Sequence, residues 1–429
     1  MPIPADVGGD GCRRGFPAMV RAMRILLFFL LILHCPAAEP LLRADDRVLI
    51  LGDSNTHDGK YIAALDLIVR CRMPGSQVEF INAGLASETL SGTSEKQHPW
   101  PRPDVHERAA RALEKAQPTV VAWCYGMNDG IYAPPDAERM AKFQAGTRDL
   151  IALSRAAGAR VVILTPPPFD PLSYKGELAP DGFGDYGYKT PWRNYNQTLA
   201  TYAAWLRDTP GLADAVVDLH TPLTSVIAAW HRTDPMWSSG DGIHPIAAIH
   251  WIIAGLIAEE LGIPGAVADL QAGEPDARGG WAWEFSAAPP VAFPEGTPPG
   301  FLAAGGFQKS ANRFEVMLSS APSGAVRVLN GDRLLGIATR EQLARGLDLS
   351  SFPALSLNRD AARALPLALE RHRILSAAWR EYIGHTRPDT DRTALPLAEA
   401  KAAAARLQAR MDVLLQPRTE RLRLEPVKP

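Results

Sequence analysis

The sequence predicts an α/β fold, in which a parallel β-sheet carries helices on both faces and is followed by a C-terminal extension. Between residues 45 and 265, short apolar runs alternate with segments of helical spacing, as expected for a chain of β–α–β units. The runs are continuously apolar, which is typical of strands buried on both faces of a parallel sheet. After residue 265 this alternation stops, and residues 270–300 are rich in Pro, Gly and Trp.

Five apolar runs predict the strands of the sheet. The first, at 47–51, ends at Gly52. The others are predicted at 78–82, 119–125, 160–165 and 215–219, with helices at 59–71, 104–116, 136–157, 191–207 and 245–261. A long loop rich in Pro, Gly and Tyr fills 166–190. In a sheet of this kind the functional site lies at the carboxyl ends of the strands.

The C-terminal extension is predicted to be a small antiparallel β unit followed by helices. Its strands are expected at 312–318, 325–329 and 334–338, and Asn330-Gly331-Asp332 is a tight-turn signal. Helices are expected at 338–346, 358–382 and 394–415. The predicted organisation is a signal peptide at 1–38, an α/β domain at 39–265, a β-rich accessory region at 266–340 and a helical extension at 341–429.

The N-terminus has the pattern of a secretory signal peptide. Arg21 and Arg24 precede a nine-residue apolar run at 25–33, and small residues lead to the expected cleavage after Ala38. The run is too short to span a bilayer as a stable helix. A buried helix or a membrane anchor is the alternative reading. The sequence therefore predicts an exported protein, periplasmic or extracellular, whose mature chain has no stable membrane span.

Composition excludes several classes of protein. The 429 residues carry a net charge of −2, so no basic field attracts nucleic acid or anionic lipid. Four Cys in this length exclude a disulfide scaffold. Cys71 and Cys124 could pair after export, but Cys124 lies in an apolar run typical of a central strand, which favours a buried free thiol. The His and Cys residues show no metal-ligand spacing, so neither a metal nor a cofactor is expected.

Ser54 is the candidate nucleophile. The run Gly52-Asp53-Ser54 follows the first strand and precedes a helix, which places the hydroxyl and its own backbone N–H at the edge where a site is expected. Gly-Asp-Ser also forms ordinary turns. His57 lies one turn away with Asp58 beside it, and is a less favoured candidate for the base.

Three further segments follow the same logic. Gly84, after the second strand, permits close approach of a substrate to a backbone N–H. Asn128, after the third strand, has an amide that can donate to an oxyanion. In Asp241-Gly242-Ile243-His244, an Asp three residues before a His can orient the ring and leave its far nitrogen as a base for Ser54. An ordinary turn, a helix cap and an incidental His are the alternatives for each segment taken alone.

Together these segments resemble the SGNH hydrolases, also called the GDSL esterase and lipase family, over about residues 45–265. The resemblance implies a flavodoxin-like three-layer α/β/α fold and ester hydrolysis through an acyl-serine. It implies Ser54 as nucleophile, His244 as base and Asp241 as the orienting acid. The oxyanion hole would be formed by the backbone N–H groups of Ser54 and Gly84 and by the Asn128 side chain.

The expected substrate is a short-chain acyl ester, above all an acetyl ester, on a small molecule or polysaccharide. Aromatic rings offer flat apolar area with polar edges, which suits stacking on sugars. A lipid acyl hydrolase or lysophospholipase, and a non-catalytic carbohydrate-binding protein, are the alternatives. The candidate substrate contacts lie in the loop after the fourth strand and shortly before Asp241: Tyr174, Tyr186, Tyr188, Trp192 and Trp237.

Overall fold

Five parallel strands form the central sheet, which confirms the predicted α/β class. The computed structural model of the chain describes residues 41–272, 274–318, 324–385 and 394–427, so the predicted signal peptide lies outside the described residues. The strands are β1 (Arg47–Gly52), β2 (Glu79–Asn82), β3 (Val120–Cys124), β4 (Arg160–Leu164) and β5 (Ala215–Val217). Their order is β2-β1-β3-β4-β5, so the carboxyl ends of β1 and β3 are neighbours in the middle of the sheet.

Seven helices belong to this part of the chain. They are α1 (Ser54–Asp58), α2 (Lys60–Arg72), α3 (Ala109–Ala116), α4 (Ala137–Ala156), α5 (Asn196–Asp208), α6 (His220–Thr233) and α7 (Ala247–Glu260). The short α1 and the whole of α6 were missed, although Leu223, Val226 and Ile227 have helical spacing and are buried. Two apolar clusters, one for each face of the sheet, pack these helices against the strands.

The helix α7 joins the sheet to the C-terminal extension. It is apolar on all sides and almost entirely buried, as expected for a helix with neighbours all around it. The Trp251 indole donates to the Ala292 carbonyl at 2.9 Å. A Cβ on Gly255 would lie 2.6 Å from Ser310 Oγ, so a side chain at this position would force the Ser310 side chain to shift.

The described residues of the extension form seven strands in two sheets, more than the three strands of the predicted antiparallel unit. The strands are β6 (Ala266–Ala272), β7 (Trp281–Ala287), β8 (Arg313–Leu318), β9 (Val326–Asn330), β10 (Arg333–Ala338), β11 (Leu347–Asp348) and β12 (Arg418–Pro426). One sheet has the order β10-β9-β12-β7 and is antiparallel, and the other has the order β11-β8-β6. The predicted turn connects β9 to β10. The strand β12 lies in the region predicted to be helical.

The described part of the extension also has five helices: α8 (Phe301–Ala304), α9 (Phe307–Ala311), α10 (Arg340–Arg345), α11 (Ser356–Ile383) and α12 (Leu397–Leu415). α11 packs against α12, α2 and β2, so it covers the edge strand of the central sheet. Within the described ranges, no helix combines the length and apolar character needed to cross a bilayer. Cys71 and Cys124 are both buried free thiols. The division of the chain at residues 265 and 340 stays a prediction.

Candidate active site

Ser54 lies at a sharp turn between β1 and α1. Gly52 has φ +152°, and a Cβ there would lie 2.1 Å from Thr56 Oγ1, so only glycine allows the chain to leave the strand in this way. The buried Asp53 side chain caps α1 by accepting from Asn55 N at 3.0 Å. Burial raises the pKa of Asp53 to about 7, against the opposing effects of the Asn55 N–H and of His244.

His244 and Asp241 extend from Ser54 in a line of hydrogen bonds. His244 Nε2 lies 2.9 Å from Ser54 Oγ, and His244 Nδ1 lies 2.8 Å from Asp241 Oδ2. The bond to Asp241 raises the pKa of His244. Burial acts to raise the pKa of Asp241, but the His244 side chain and the N–H groups of His244 and Ile243 lower it to about 2. Asp241 is therefore a carboxylate at neutral pH.

Asn128 is held with one amide N–H spare. Its Oδ1 accepts from the Tyr132 hydroxyl at 3.1 Å. Nδ2 donates to the Glu88 carbonyl at 3.1 Å. Because an amide nitrogen carries two hydrogens, a second N–H remains for a ligand in the cavity that Asn128 lines together with Ser54.

Gly84 was predicted to contribute its backbone N–H to the oxyanion hole, but it lies outside the cavity at Ser54. Its N–H donates to Asn82 Oδ1 at 2.9 Å, and it does not line the cavity at Ser54. A Cβ on Gly84 would lie 2.5 Å from His57 N. The residue is glycine because the strand β2 packs closely on the turn after Ser54, so its assignment to the oxyanion hole is wrong.

Ser87 occupies the cavity wall instead. It has φ +69°, unusual for a residue with a side chain, and its carbonyl accepts from Arg102 Nη1 at 3.3 Å. Among the described residues, the N–H groups of Ser54 and Ser87 have no hydrogen-bond acceptor. These two backbone donors and the spare N–H of Asn128 all belong to residues of one cavity wall.

The cavity at Ser54 has a volume of 280 Å³. Much of its wall comes from the loop 83–104, which follows β2 and which the sequence analysis did not consider for substrate contacts. The residues that line it are Ser54, Ala86, Ser87, His98, Pro99, Trp100, Arg102, Asn128, Tyr132, Tyr188, Ile243 and His244. These lining residues could have been predicted from the sequence, because the loop follows a predicted strand and therefore lies at the carboxyl edge of the sheet.

Two ion pairs fix the loop 83–104. Arg102 and Glu95 form a pair with both hydrogen bonds at 2.6 Å, and their side chains are 3% and 1% exposed. Arg108 and Glu88 form a second pair, equally buried, at 2.5 Å. Paired guanidinium and carboxylate groups tolerate burial only with such bidentate geometry. The loop therefore presents its rings to the cavity from a rigid base.

Of the five predicted substrate contacts, only Tyr188 lines the cavity. Trp192 is 6% exposed and donates its indole N–H to Asp181. The Tyr174 and Tyr186 hydroxyls donate to carbonyls within their own loop, those of Tyr188 and Pro180.

Trp237 is also remote from the cavity, because it packs against Trp230 and Phe301. The predictions for these four residues were wrong, because the rings fold onto their own loop or onto a neighbouring helix. His57, the alternative base, is not the residue that contacts Ser54 Oγ.

No group of three or more potential metal ligands occurs in the described part of the chain.

A family model decides the assignment. Residues 50–252 match the model described as the GDSL-like lipase/acylhydrolase family. The chain carries a GDSL-like lipase/acylhydrolase domain. The resemblance seen in the motifs is thereby confirmed. No curated protein matches the sequence.

Solved structures are similar to this chain. A gut microbial diltiazem-metabolizing enzyme is similar with a TM-score of 0.62 and 17% identity, over 90% of this chain and 98% of that chain. Such coverage requires the match to continue past residue 265, into the two C-terminal sheets. An acetylxylan esterase from Geobacillus stearothermophilus, solved as a catalytic mutant, has a TM-score of 0.36 and 17% identity, over 51% of this chain and 95% of that chain.

Proposed function

We propose that this GDSL-like hydrolase is an exported serine esterase that cleaves short acyl esters of carbohydrate alcohols, above all acetyl esters. The observation that carries the proposal is the line of contacts from Ser54 Oγ through His244 to Asp241. A hydroxyl bonded to an imidazole, which is in turn oriented by a carboxylate, is the arrangement that makes serine a nucleophile.

In the first half of the proposed reaction, Ser54 Oγ attacks the ester carbonyl carbon and His244 Nε2 takes the hydroxyl proton. The resulting oxyanion accepts hydrogen bonds from the Ser54 and Ser87 backbone N–H groups and from Asn128 Nδ2. The tetrahedral intermediate then expels the alcohol, which receives its proton from His244. The product is the acyl ester of Ser54.

The second half repeats these steps with water. Water loses a proton to His244 Nε2 as its oxygen bonds to the acyl carbon, and the second oxyanion uses the same three donors. Collapse returns the proton to Ser54 Oγ and releases the carboxylic acid. Asp241 stays ionised throughout, because its pKa of about 2 lies far below the working pH.

The shape and lining of the cavity support a small acyl group and a sugar. The walls include the rings of Trp100, Tyr132 and Tyr188, and among the described residues that line the cavity Ile243 is the one branched aliphatic side chain. A volume of 280 Å³ lies just below the range of about 300–1,000 Å³ that is usual for small-molecule sites. Flat rings with polar edges suit a pyranose face better than an extended alkyl chain.

The test is Ser54→Ala together with a chain-length series. The variant should lose kcat on nitrophenyl acetate by several orders of magnitude and keep its fold by circular dichroism, as in other serine hydrolases that lack the nucleophile. Wild-type kcat/KM should fall from acetyl to octanoyl esters of one alcohol. Near-wild-type turnover by Ser54→Ala, or a preference for octanoyl, would contradict the proposal. Export predicts that protein recovered from the periplasm or medium begins near Glu39.

A further inference from the structure

A buried polar cluster lies beneath the turn that carries Asp241 and His244. Its centre is Asp170, which is 5% exposed. Three donors converge on its Oδ2: Ser173 Oγ at 2.6 Å, Ser239 Oγ at 2.6 Å and His231 Nε2 at 2.8 Å. Its other oxygen accepts from Leu172 N at 3.1 Å. The cluster thus joins the loop after β4, the last turn of α6 and the segment before Asp241.

The cluster is bonded directly to the turn 239–245. Asp170 N donates to the Gly242 carbonyl at 2.9 Å, and Ser239 N donates to Ser173 Oγ at 2.9 Å. A Cβ on Gly242 would lie 2.8 Å from the Asp170 carbonyl oxygen. The turn is therefore in close backbone contact with the Asp170 segment at both its beginning and its middle.

The catalytic pair itself has little packing to hold it. The side chains of His244 and Asp241 are 49% and 57% exposed, and an exposed ion pair contributes about 0–1 kcal/mol by itself. Within the turn, Asp241 N donates to the His244 carbonyl at 3.3 Å, and Gly240 bridges to Pro245. These local bonds shape the turn but do not place it relative to Ser54. That placement requires contacts to the rest of the fold.

We propose that Asp170 is a positioning residue: through Ser173, Ser239 and His231 it holds the turn 239–245 so that His244 faces Ser54 and Asp241 faces His244. The inference rests on the proposed function for its kinetic consequence. An ionised carboxylate suits this task, because it can accept four hydrogen bonds at two oxygens without offering a donor.

Asp170→Asn tests the inference with almost no change of shape. An amide replaces one acceptor oxygen by an NH2 group, so either Leu172 N or the three donors at Oδ2 lose their acceptor. The turn then holds Asp241 against His244 less of the time. Since the Asp241 bond is the largest influence raising the pKa of His244, that pKa should fall. The other charges that act to raise it are Asp53 and Asp58, and neither is altered.

Asp66→Asn is the matched control. Asp66 is also a buried aspartate bonded to a histidine, with Oδ2 at 3.0 Å from His372 Nε2 and 3.0 Å from Arg371 Nη1. It joins α2 to α11 and has no bond to the turn 239–245. The Asp66→Asn variant should have a lower melting temperature than the wild type, but the pKa of His244 should be unchanged.

Two measurements decide the outcome. The first is the pH dependence of kcat and KM on nitrophenyl acetate. The second is the NMR titration of the His244 ring, assigned with His244→Gln, which needs no activity. In Asp170→Asn the His244 midpoint should move to lower pH and kcat should fall by up to about 100-fold, with KM little changed. In Asp66→Asn the His244 midpoint and kcat should match those of the wild type.

A wild-type His244 midpoint in Asp170→Asn, or the same shift in Asp66→Asn, would overturn the inference. If Asp170→Asn does not fold, Ser239→Ala removes a single donor and should move the midpoint in the same direction by less. An unchanged His244 midpoint in Ser239→Ala would also contradict the positioning role of Asp170. A wild-type enzyme without esterase activity contradicts the proposed function alone, because the NMR midpoint still tests the positioning role.

Discussion

Two bonds around His244 determine which of its ring nitrogens can accept a proton. Asp241 is ionised and cannot donate, so His244 Nδ1 must carry the hydrogen in the 2.8 Å contact. Nε2 of the neutral ring is then the acceptor for the Ser54 hydroxyl. In the proposed mechanism the ring acts as a base only in this neutral form, so the pH dependence of turnover should report on the Asp241 contact.

The first prediction concerns that pH dependence. The pKa of His244 is raised above its ordinary value of 6.5, chiefly by the Asp241 bond. Since the base must be unprotonated, kcat/KM should rise with pH and reach half its maximum above pH 6.5. Asp241→Asn should lower kcat and move this midpoint to lower pH. A rate profile of the wild type with its midpoint below 6.5 would show that Asp241 does not act on the base.

A second residue-scale prediction concerns Asn128. Removing one oxyanion donor in Asn128→Ala should lower kcat by roughly 10²–10³, with little change in KM, because the contact strengthens mainly in the transition state. Tyr132→Phe is the control, since it removes the bond to Asn128 Oδ1 but keeps the donor, and its loss of kcat should be smaller. An effect of Asn128→Ala on KM alone would identify a substrate-binding residue instead.

At the scale of elements, the cavity lies between two loops at the carboxyl edge of the sheet, the loop 83–104 and the loop after β4. They are bonded to each other through Glu95, which accepts from Tyr188 N at 3.4 Å, and through Gln97, whose amide donates to Thr190 Oγ1 at 2.5 Å. The loop 83–104 supplies Trp100, and the loop after β4 supplies Tyr188. The remaining rings of the second loop stabilise the loop itself.

Trp100→Ala and Trp192→Ala should separate these two roles. Trp100 lines the cavity, so its loss should reduce kcat/KM for an acetylated oligosaccharide more than for nitrophenyl acetate. Trp192 is buried and bonded to Asp181, so its loss should cost about 3–5 kcal/mol of unfolding free energy and affect both substrates equally. Steady-state kinetics measure kcat/KM on the two substrates, and thermal melts measure the loss of stability. Equal losses on the two substrates for Trp100→Ala would exclude a sugar contact.

At the scale of the whole molecule, the last strand completes a sheet that begins far earlier in the chain. β12 lies between β7 and β9 and pairs with both. Leu422 and Leu424 on this strand are fully buried in the apolar cluster that the two C-terminal sheets share. The strand β12 is therefore an interior part of the extension, although it lies in the region that was predicted to be helical.

Truncation after Gln416 tests this role. Removing β12 leaves the facing edges of β7 and β9 without partners and exposes their apolar residues, which favours aggregation. The shortened chain should be insoluble or melt well below the full chain. A chain ending at Val427 is the control and should melt like the full-length protein. Equal melting temperatures for all three would show that β12 does not stabilise the extension.

The central sheet and the grouping of Ser54, Asp241 and His244 could be predicted from the sequence. Continuous apolar runs identify strands buried on both faces, and an Asp three residues before a His needs only one turn to reach it. Such signals are local, so they are readable from neighbouring residues.

The other features of the site and of the extension depend on tertiary packing. Gly84 and Ser87 both follow β2 closely. The Gly84 N–H is bonded to Asn82, whereas Ser87 lines the cavity. Rings of one loop look alike in sequence, yet Tyr188 faces the cavity and Trp192 the interior. The pairing of β12 with β7 joins residues more than 130 positions apart. These choices depend on which surfaces meet after the chain has folded, and no local pattern encodes them.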